Sequence, residues 1–266
     1  MTKVALVDGD ILIHESCFAA QSAYKQATGT DDIVGFESVE NSMVQRIEQI
    51  MLGAGCDSYV LYITEGRTFR YDVAFTKPYK GTRNAEKPYH YSNLRAVIKN
   101  LYPCKVVTHL EADDQLAIDA LADPDNTVLC SRDKDLRQVT GATVYSWELG
   151  NQPSFGPTKI PRIGSINAQG KGTGFTFFMA QMIAGDSADN IPGIAGKGSA
   201  YACKLLSPIV EDGELTDDEK VAAMKAAVTT AYQRCYSDDY EAVLKEQSTL
   251  LWMLRKAPTN QGGNDD

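Results

Sequence analysis

One recurring feature constrains this chain most. Short apolar runs of strand length lead directly into acidic residues. VALV at 4–7 runs into Asp8 (VDGD), and SYVLYIT at 58–64 runs into Glu65 (ITEG). KVVTH at 105–109 runs into Glu111, Asp113 and Asp114 (EADD), and TVLCS at 127–131 runs into Asp133 and Asp135 (SRDKD). Such runs read as strands, with a fifth at 142–147. Between them Val39, Met43, Ile47, Ile50 and Met51 keep helical spacing up to Gly53 and Gly55, and Ala112, Leu116, Ala120 and Leu121 mark another helix. This alternation predicts an α/β fold: a mainly parallel central sheet flanked by helices on both faces. Open sheets of this kind bind ligands at the carboxyl ends of their strands, so the acidic residues are expected to share one rim.

A further pair, Asp186 and Asp189 in GDSADN, closes a helix that begins near Phe175. Carboxylates crowded at one rim repel and raise one another's pKa values, and bound divalent metal relieves this most simply. With oxygen ligands the metal is a hard cation, Mg²⁺ or Mn²⁺. Two such ions roughly 4 Å apart, bridged by carboxylates from different strands, form a device for cutting phosphodiesters. Taken singly, each residue has a plainer explanation. Asp8 or Asp133 could be a helix N-cap, Asp189 could start a turn and Asp114 could be exposed on its helix.

Other chemistries find no support. The six cysteines form no CxxC pair and the three histidines no HxxxH pair, which argues against zinc. GxSxG and a GxGxxG after the first strand are both missing. No apolar run approaches the roughly 18–20 residues of a membrane span, and Asp8 arrives too early for a secretory leader, so a cytoplasmic protein is expected. The net charge of −9 hides a local excess: residues 66–105 hold nine basic side chains against Asp72 and Glu86. That stretch could be a solvated helix face or a phosphate-binding element. It carries Pro78, Pro88 and Pro103 and is too long for a plain loop. Residues 150–174 read as a Gly/Pro-rich linker, followed by helices at 175–184, 197–206, 219–236 and 240–256. In NIPGIAGKG, Gly193, Gly196, Lys197 and Gly198 would expose backbone N–H groups to a phosphate, or else merely cap an αα turn.

VDGD, TFR then YKGTR, EADD, SRDKDLRQ and GDSADNIPGIAGKG, in that order over roughly residues 3–206, resemble the flap endonuclease and 5′-3′ exonuclease family. The size is most like its free-standing bacteriophage members. The resemblance implies a PIN-like nuclease domain over 1–174, with a helical arch at about 70–103. It also implies a helical DNA-binding part over 175–256 containing a helix-hairpin-helix, then a flexible tail at 257–266. It implies metal ligands at Asp8, Glu111, Asp113, Asp133, Asp135, Asp186 and Asp189, with Asp114 adjacent, for two Mg²⁺ or Mn²⁺ ions, and a K⁺ at the hairpin. Lys80, Arg83 and Arg70 would orient and neutralise the scissile phosphate. Lys87 would contact DNA, and Tyr79 would either stack on a base or pack in the core. One departure stands out: many members carry an Asp where this chain has Ile63, so Glu65 enters as a candidate ligand with a longer arm. The implied protein is a monomer that removes nucleotides from DNA 5′ ends, with flap cleavage and RNA removal from RNA–DNA hybrids as further activities. A PIN-type ribonuclease and a non-catalytic nucleic-acid-binding module are the alternatives.

Overall fold

The computed structural model describes residues 2–82 and 86–257. Strand β1 (Val4–Asp8) lies at the centre of a six-stranded sheet of order β3-β2-β1-β4-β5-β6. Strands β2 (Ser58–Glu65), β3 (Cys104–Thr108), β4 (Thr127–Cys130) and β5 (Thr143–Ser146) run parallel, within a residue or two of the expected bounds. The chain runs from β1 outward to β2 and β3, then returns to the other side of β1 for β4. The strand order therefore reverses around β1, and the carboxyl ends of β1, β2 and β4 frame the switch point at which such sheets bind ligands.

The two-residue period of β1 explains both layers. Ala5 and Val7 face helices α1 (Gly9–Thr28), α2 (Phe36–Ala54) and α4 (Tyr91–Leu101), packing with Leu12, Ile13, Met43, Ile47, Leu94 and Ile98. Leu6 faces the opposite layer, with Tyr62, Val107, Leu129, Leu116 and Ala120 of α5 (Ala112–Ala122) and with Met253. Truncating Leu12, Ile13, Met43, Leu94, Ile98 or Leu116, all fully buried, to Ala would cost about 2–5 kcal/mol.

The expected linker holds more order than its composition suggested. Within it β6 (Phe155–Lys159) pairs antiparallel with β5, and β7 (Ser165–Ile166) pairs with β8 (Gly172–Thr173) in a small hairpin. As an antiparallel edge strand, β6 tolerates the Gly and Pro that hid it. Helices α6 (Gly174–Ala184), α7 (Ser199–Glu211), α8 (Asp217–Tyr236) and α9 (Tyr240–Leu251) follow and bury a second core around Phe178, Met182, Leu206, Met224 and Tyr232. A full capping box, Thr216 with Glu219, starts α8.

Among the described residues, the 70–103 stretch is helical only at its ends, in α3 (Arg70–Val73) and α4, and α4 is packed on the sheet. Among the described residues 74–90 form turns and loop. Arg83 and the tail beyond residue 257 lie outside the described residues. All six cysteines are free, Cys235 being exposed. Among the described residues no helix is long and apolar enough to cross a membrane.

Candidate active site

At the carboxyl edge of the sheet a cleft of about 490 Å³ is lined by Asp8, Asp10, Glu111, Asp113, Asp133, Asp135, Asp189 and Lys80. They come from the breaks where strands give way to helices and turns. Asp8 ends β1 and at the same time caps α1, its Oδ1 accepting from Ile11 N at 3.0 Å and its Oδ2 from Ser131 Oγ at 2.8 Å. Asp133 likewise caps the 3₁₀ turn at 134–138, accepting from Asp135 N at 2.8 Å. The capping explanation thus holds for both, and it aims both carboxylates at the rim. Asp135 accepts from Gln181 Nε2 of α6 at 2.7 Å, and Glu111 precedes α5.

Burial and mutual repulsion dominate the electrostatics. Burial, reinforced by Asp10, pushes Asp8 up to about 7. Burial lifts Asp113 and Asp135 well above the usual carboxylate range and also raises Asp133, with neighbouring carboxylates adding to each. Glu111 goes the other way. Burial would raise it, but Lys80 Nζ at 2.6 Å and Arg70 outweigh that, and its pKa is lowered. Tyr79, its hydroxyl 2.9 Å from Asp189 Oδ2 and 3.1 Å from Glu111 Oε2, ties the two acids together.

Among the described residues no three acidic, His or Cys side chains are drawn around one point as a ready ligand set. Ser131, Lys80, Gln181 and backbone N–H groups hold the carboxylates instead. The donors nonetheless suit a hard divalent cation: all are carboxylate oxygens, four have raised pKa values, and Asp113 Oδ1 is buried with no hydrogen-bond partner.

Several expected residues are placed elsewhere. Asp186 lies beside the cleft rather than on its wall, accepting from Ala188 N at 2.8 Å and facing Lys134 Nζ at 3.2 Å. Its charge still raises Asp133 and Asp135. Glu65 is a correction. Although it ends β2, it is exposed and turns to α4, where Lys99 Nζ lies 2.8 Å from Oε1. Arg70 and Asp114 are a second correction. Both are fully buried and bind each other through a two-pronged pair. Arg70 also donates to Leu250 O at 3.0 Å and Trp252 O at 2.9 Å, while Asp114 Oδ1 accepts from Leu254 N at 3.0 Å. Their ionic capacity is spent inside the protein, which leaves neither a phosphate contact for Arg70 nor a metal oxygen for Asp114. Tyr79 is 5% exposed, so the core-packing alternative describes it and base stacking does not.

Lys87 is exposed over the Tyr91 ring at 4.5 Å. In the α6–α7 turn, Gly185 and Gly193 sit back to back at positive φ, and a Cβ on either would come within 2.3 Å of the other strand's backbone. Gly193 is therefore a packing glycine. Gly196, Lys197 and Gly198 are exposed and lead into α7. Sequence reasoning missed Asp10, which lines the cleft and binds Thr64 N at 2.9 Å and Arg95 at 3.0 Å. Its only sequence signal was its place two residues after Asp8.

A doubly flanked parallel sheet with an acidic cleft at its switch point, joined to a helical part, defines the class of this protein. Its relatives include DNA polymerases I and a 5′-3′ exonuclease. DNA polymerase I of Streptococcus pneumoniae (strain R6) is 26% identical over 282 residues, 99% of this chain and 30% of that protein. The 5′-3′ exonuclease of Mycoplasmopsis pulmonis is 28% identical over 218 residues, 77% of this chain and 66% of that protein. The chain thus spans about a third of the polymerases it matches. In structure it is similar to a bacteriophage T5 5′-exonuclease with bound zinc ions (TM-score 0.53, 14% identity, 94% of this chain and all of that one). It is also similar to a bacteriophage T5 flap endonuclease in a complex with DNA and metal ions (TM-score 0.54, 15% identity, 94% of this chain and 99% of that one). At those identities the likeness establishes the fold. No family model matches the chain. The resemblance to the flap endonuclease and 5′-3′ exonuclease family read from the motifs is borne out by relatives and fold together.

Proposed function

We propose that this chain is a metal-dependent 5′ nuclease that hydrolyses DNA phosphodiesters from 5′ ends. The carrying observation is the convergence of Asp8, Glu111, Asp113, Asp133, Asp135 and Asp189 on one cleft that Lys80 also enters. Those carboxylates would hold Mg²⁺ or Mn²⁺, two ions in our reading, with Asp186 adding charge from behind. When bound, the metal supplies Lewis-acid neutralisation of the phosphate and an ionised water.

The chain's own residues set up the rest. Lys80 places its ammonium at the cleft wall against Glu111, where it can neutralise charge that develops on a phosphate oxygen. Its backbone is held in place: Lys80 N donates to Asp189 O at 2.9 Å. Tyr79 links Glu111 and Asp189 through its hydroxyl. The helical part, residues 175–256, would grip the duplex through Gly196, Lys197 and Gly198 at the start of α7, with a K⁺ at that hairpin. Lys87, and Arg83 outside the described residues, would add phosphate contacts from the 70–103 stretch. Flap cleavage and RNA removal from hybrids belong to the same reading, with a monomer as the working form.

The test is a time course on duplex DNA labelled at its 5′ end, with a 3′-labelled twin, in Mg²⁺ and in EDTA. Early short products from the 5′ label, only with Mg²⁺, are expected. No cleavage in Mg²⁺ or Mn²⁺ with duplex binding intact would leave a non-catalytic binding module.

A further inference from the structure

Lys80 sits on a loop that the α/β part does not hold by itself. Lys80 has φ 54°, a left-handed conformation unusual for a residue with a side chain, which persists only where the surroundings impose it. Besides the side-chain bonds of Tyr79 and Lys80 to Glu111, backbone contacts to the loop come from the helical part. Asn190 Nδ2 donates to Pro78 O at 2.9 Å, and Asp189 O accepts from Lys80 N. The foot of the loop is held by Glu246 of α9, whose Oε1 accepts from Phe75 N at 2.5 Å and Thr76 N at 2.7 Å. Its Oε2 accepts from Thr76 Oγ1. Glu246 is 3% exposed, and among the described residues no basic side chain forms an ion pair with it. A buried carboxylate is retained in an apolar core only where its hydrogen bonds compensate it. Here the partners are three donors of one two-residue segment. Four residues further on, that segment delivers Lys80 to Glu111.

We propose that Glu246 is a positioning residue for the nuclease reaction: it anchors the loop at residues 75–76 and thereby sets the place of the Lys80 ammonium in the cleft. The role rests on the nuclease reading above. Glu246 does not reach the reacting atoms; it acts through Lys80. A displacement of about 1 Å at a positioned group can cost on the order of 10²-fold in rate.

The experiment is a kinetic cycle on the full chain with 5′-labelled duplex and Mg²⁺, comparing wild type, Glu246→Ala, Glu246→Gln, Lys80→Ala and the Glu246→Ala/Lys80→Ala double variant. Amide hydrogen exchange over residues 75–81 is read on the same proteins. Glu246→Ala is expected to lower kcat by about 10- to 100-fold with KM and duplex affinity within about 3-fold, and to speed exchange at 75–81. Glu246→Gln keeps a carbonyl oxygen for both amides and should recover to within about 3-fold of wild type. With Lys80 already removed, Glu246→Ala should cost less than about 3-fold more. Equal losses with and without Lys80 would overturn the inference, as would a Gln variant as slow as the Ala one or unchanged exchange at 75–81. An inert wild type would instead overturn the nuclease reading, and this role with it.

Discussion

Replacing Asp114 with alanine should destabilise the protein severely while removing no side chain that lines the acidic cleft. The substitution strips the fully buried Arg70 guanidinium of its two-pronged partner and leaves it only the longer pair with Glu111 at 3.7 Å. It also orphans Leu254 N, which donates to Asp114 Oδ1 at 3.0 Å. Breaking a buried, hydrogen-bonded ion pair from one side costs about 3–5 kcal/mol, because the remaining charge cannot reach water. At about 2–4 °C per kcal/mol for a chain of this size, the midpoint should fall by roughly 6–20 °C. The companion variant Arg70→Met/Asp114→Leu removes both charges and fills the space. Its loss should be smaller than the sum of the single losses by at least about 2 kcal/mol. Urea denaturation followed by circular dichroism, in EDTA and in Mg²⁺, gives all these values. The Mg²⁺-induced rise in stability should persist in Asp114→Ala. Additive losses within about 0.5 kcal/mol would refute the pairing argument. So would an Asp114→Ala protein that melts like wild type yet no longer responds to Mg²⁺, which would make Asp114 a ligand after all.

Three further outcomes are expected. Because burial raises Asp8 to about 7 and also raises Asp113, Asp133 and Asp135, these groups bind protons more tightly folded than unfolded. Their contribution to stability therefore falls as pH rises from about 4 to about 7. Asp8→Asn should stabilise the metal-free protein at pH 8 but hardly at pH 4, and Mg²⁺ should raise the wild-type midpoint more at pH 8 than at pH 5.5; thermal melts at the three pH values would refute this if the order were reversed. Lys80→Ala should lower kcat by about 10²-fold or more with duplex affinity changed far less, whereas a purely salt-dependent affinity loss would reduce Lys80 to a phosphate contact. Gly193→Ala, with a Cβ 2.3 Å from Gly185 N at positive φ, should cost several times more stability than Gly196→Ala, where φ is also positive but nothing lies within 4 Å; equal urea midpoints would show that the turn can relax.

The first four strands of the sheet were readable from sequence because each declares itself locally, by a short apolar run with acidic punctuation. The rim followed from topology, since parallel strands put Asp8, Glu111 and Asp133 at one edge whatever else the chain does. Side-chain direction at that edge was not readable. Glu65 stands at the same level as its neighbours, but Lys99, supplied by α4, draws it outward. Arg70 looked like a phosphate ligand because TFR matches a motif of the family the chain resembles. Its actual partners, Asp114, Leu250 and Trp252, come from distant elements that no local pattern brings together. Asp10 was overlooked for the opposite reason. Next to a residue with an obvious role it looked redundant, and only the packing of β2 and α4 against it shows that it faces the cleft. β6 was hidden by its own turn-like composition, which an edge strand paired on one side tolerates.

The segment at 250–255 has a consequence for synthesis. Met253 fills the sheet's inner layer, Met253 N donates to Gln138 Oε1 at 3.2 Å, and Arg255 donates to Gln138 O at 2.7 Å. With Leu254 N on Asp114, the last described turn of chain closes a core begun by the first strand. On the ribosome, the α/β part therefore emerges with Arg70, Asp114 and Gln138 still lacking their final partners, and it waits about 100 residues for them, five seconds or more at bacterial elongation rates. The contacts of residues 253–255 with Gln138 and Asp114 can therefore form only after that segment has been made.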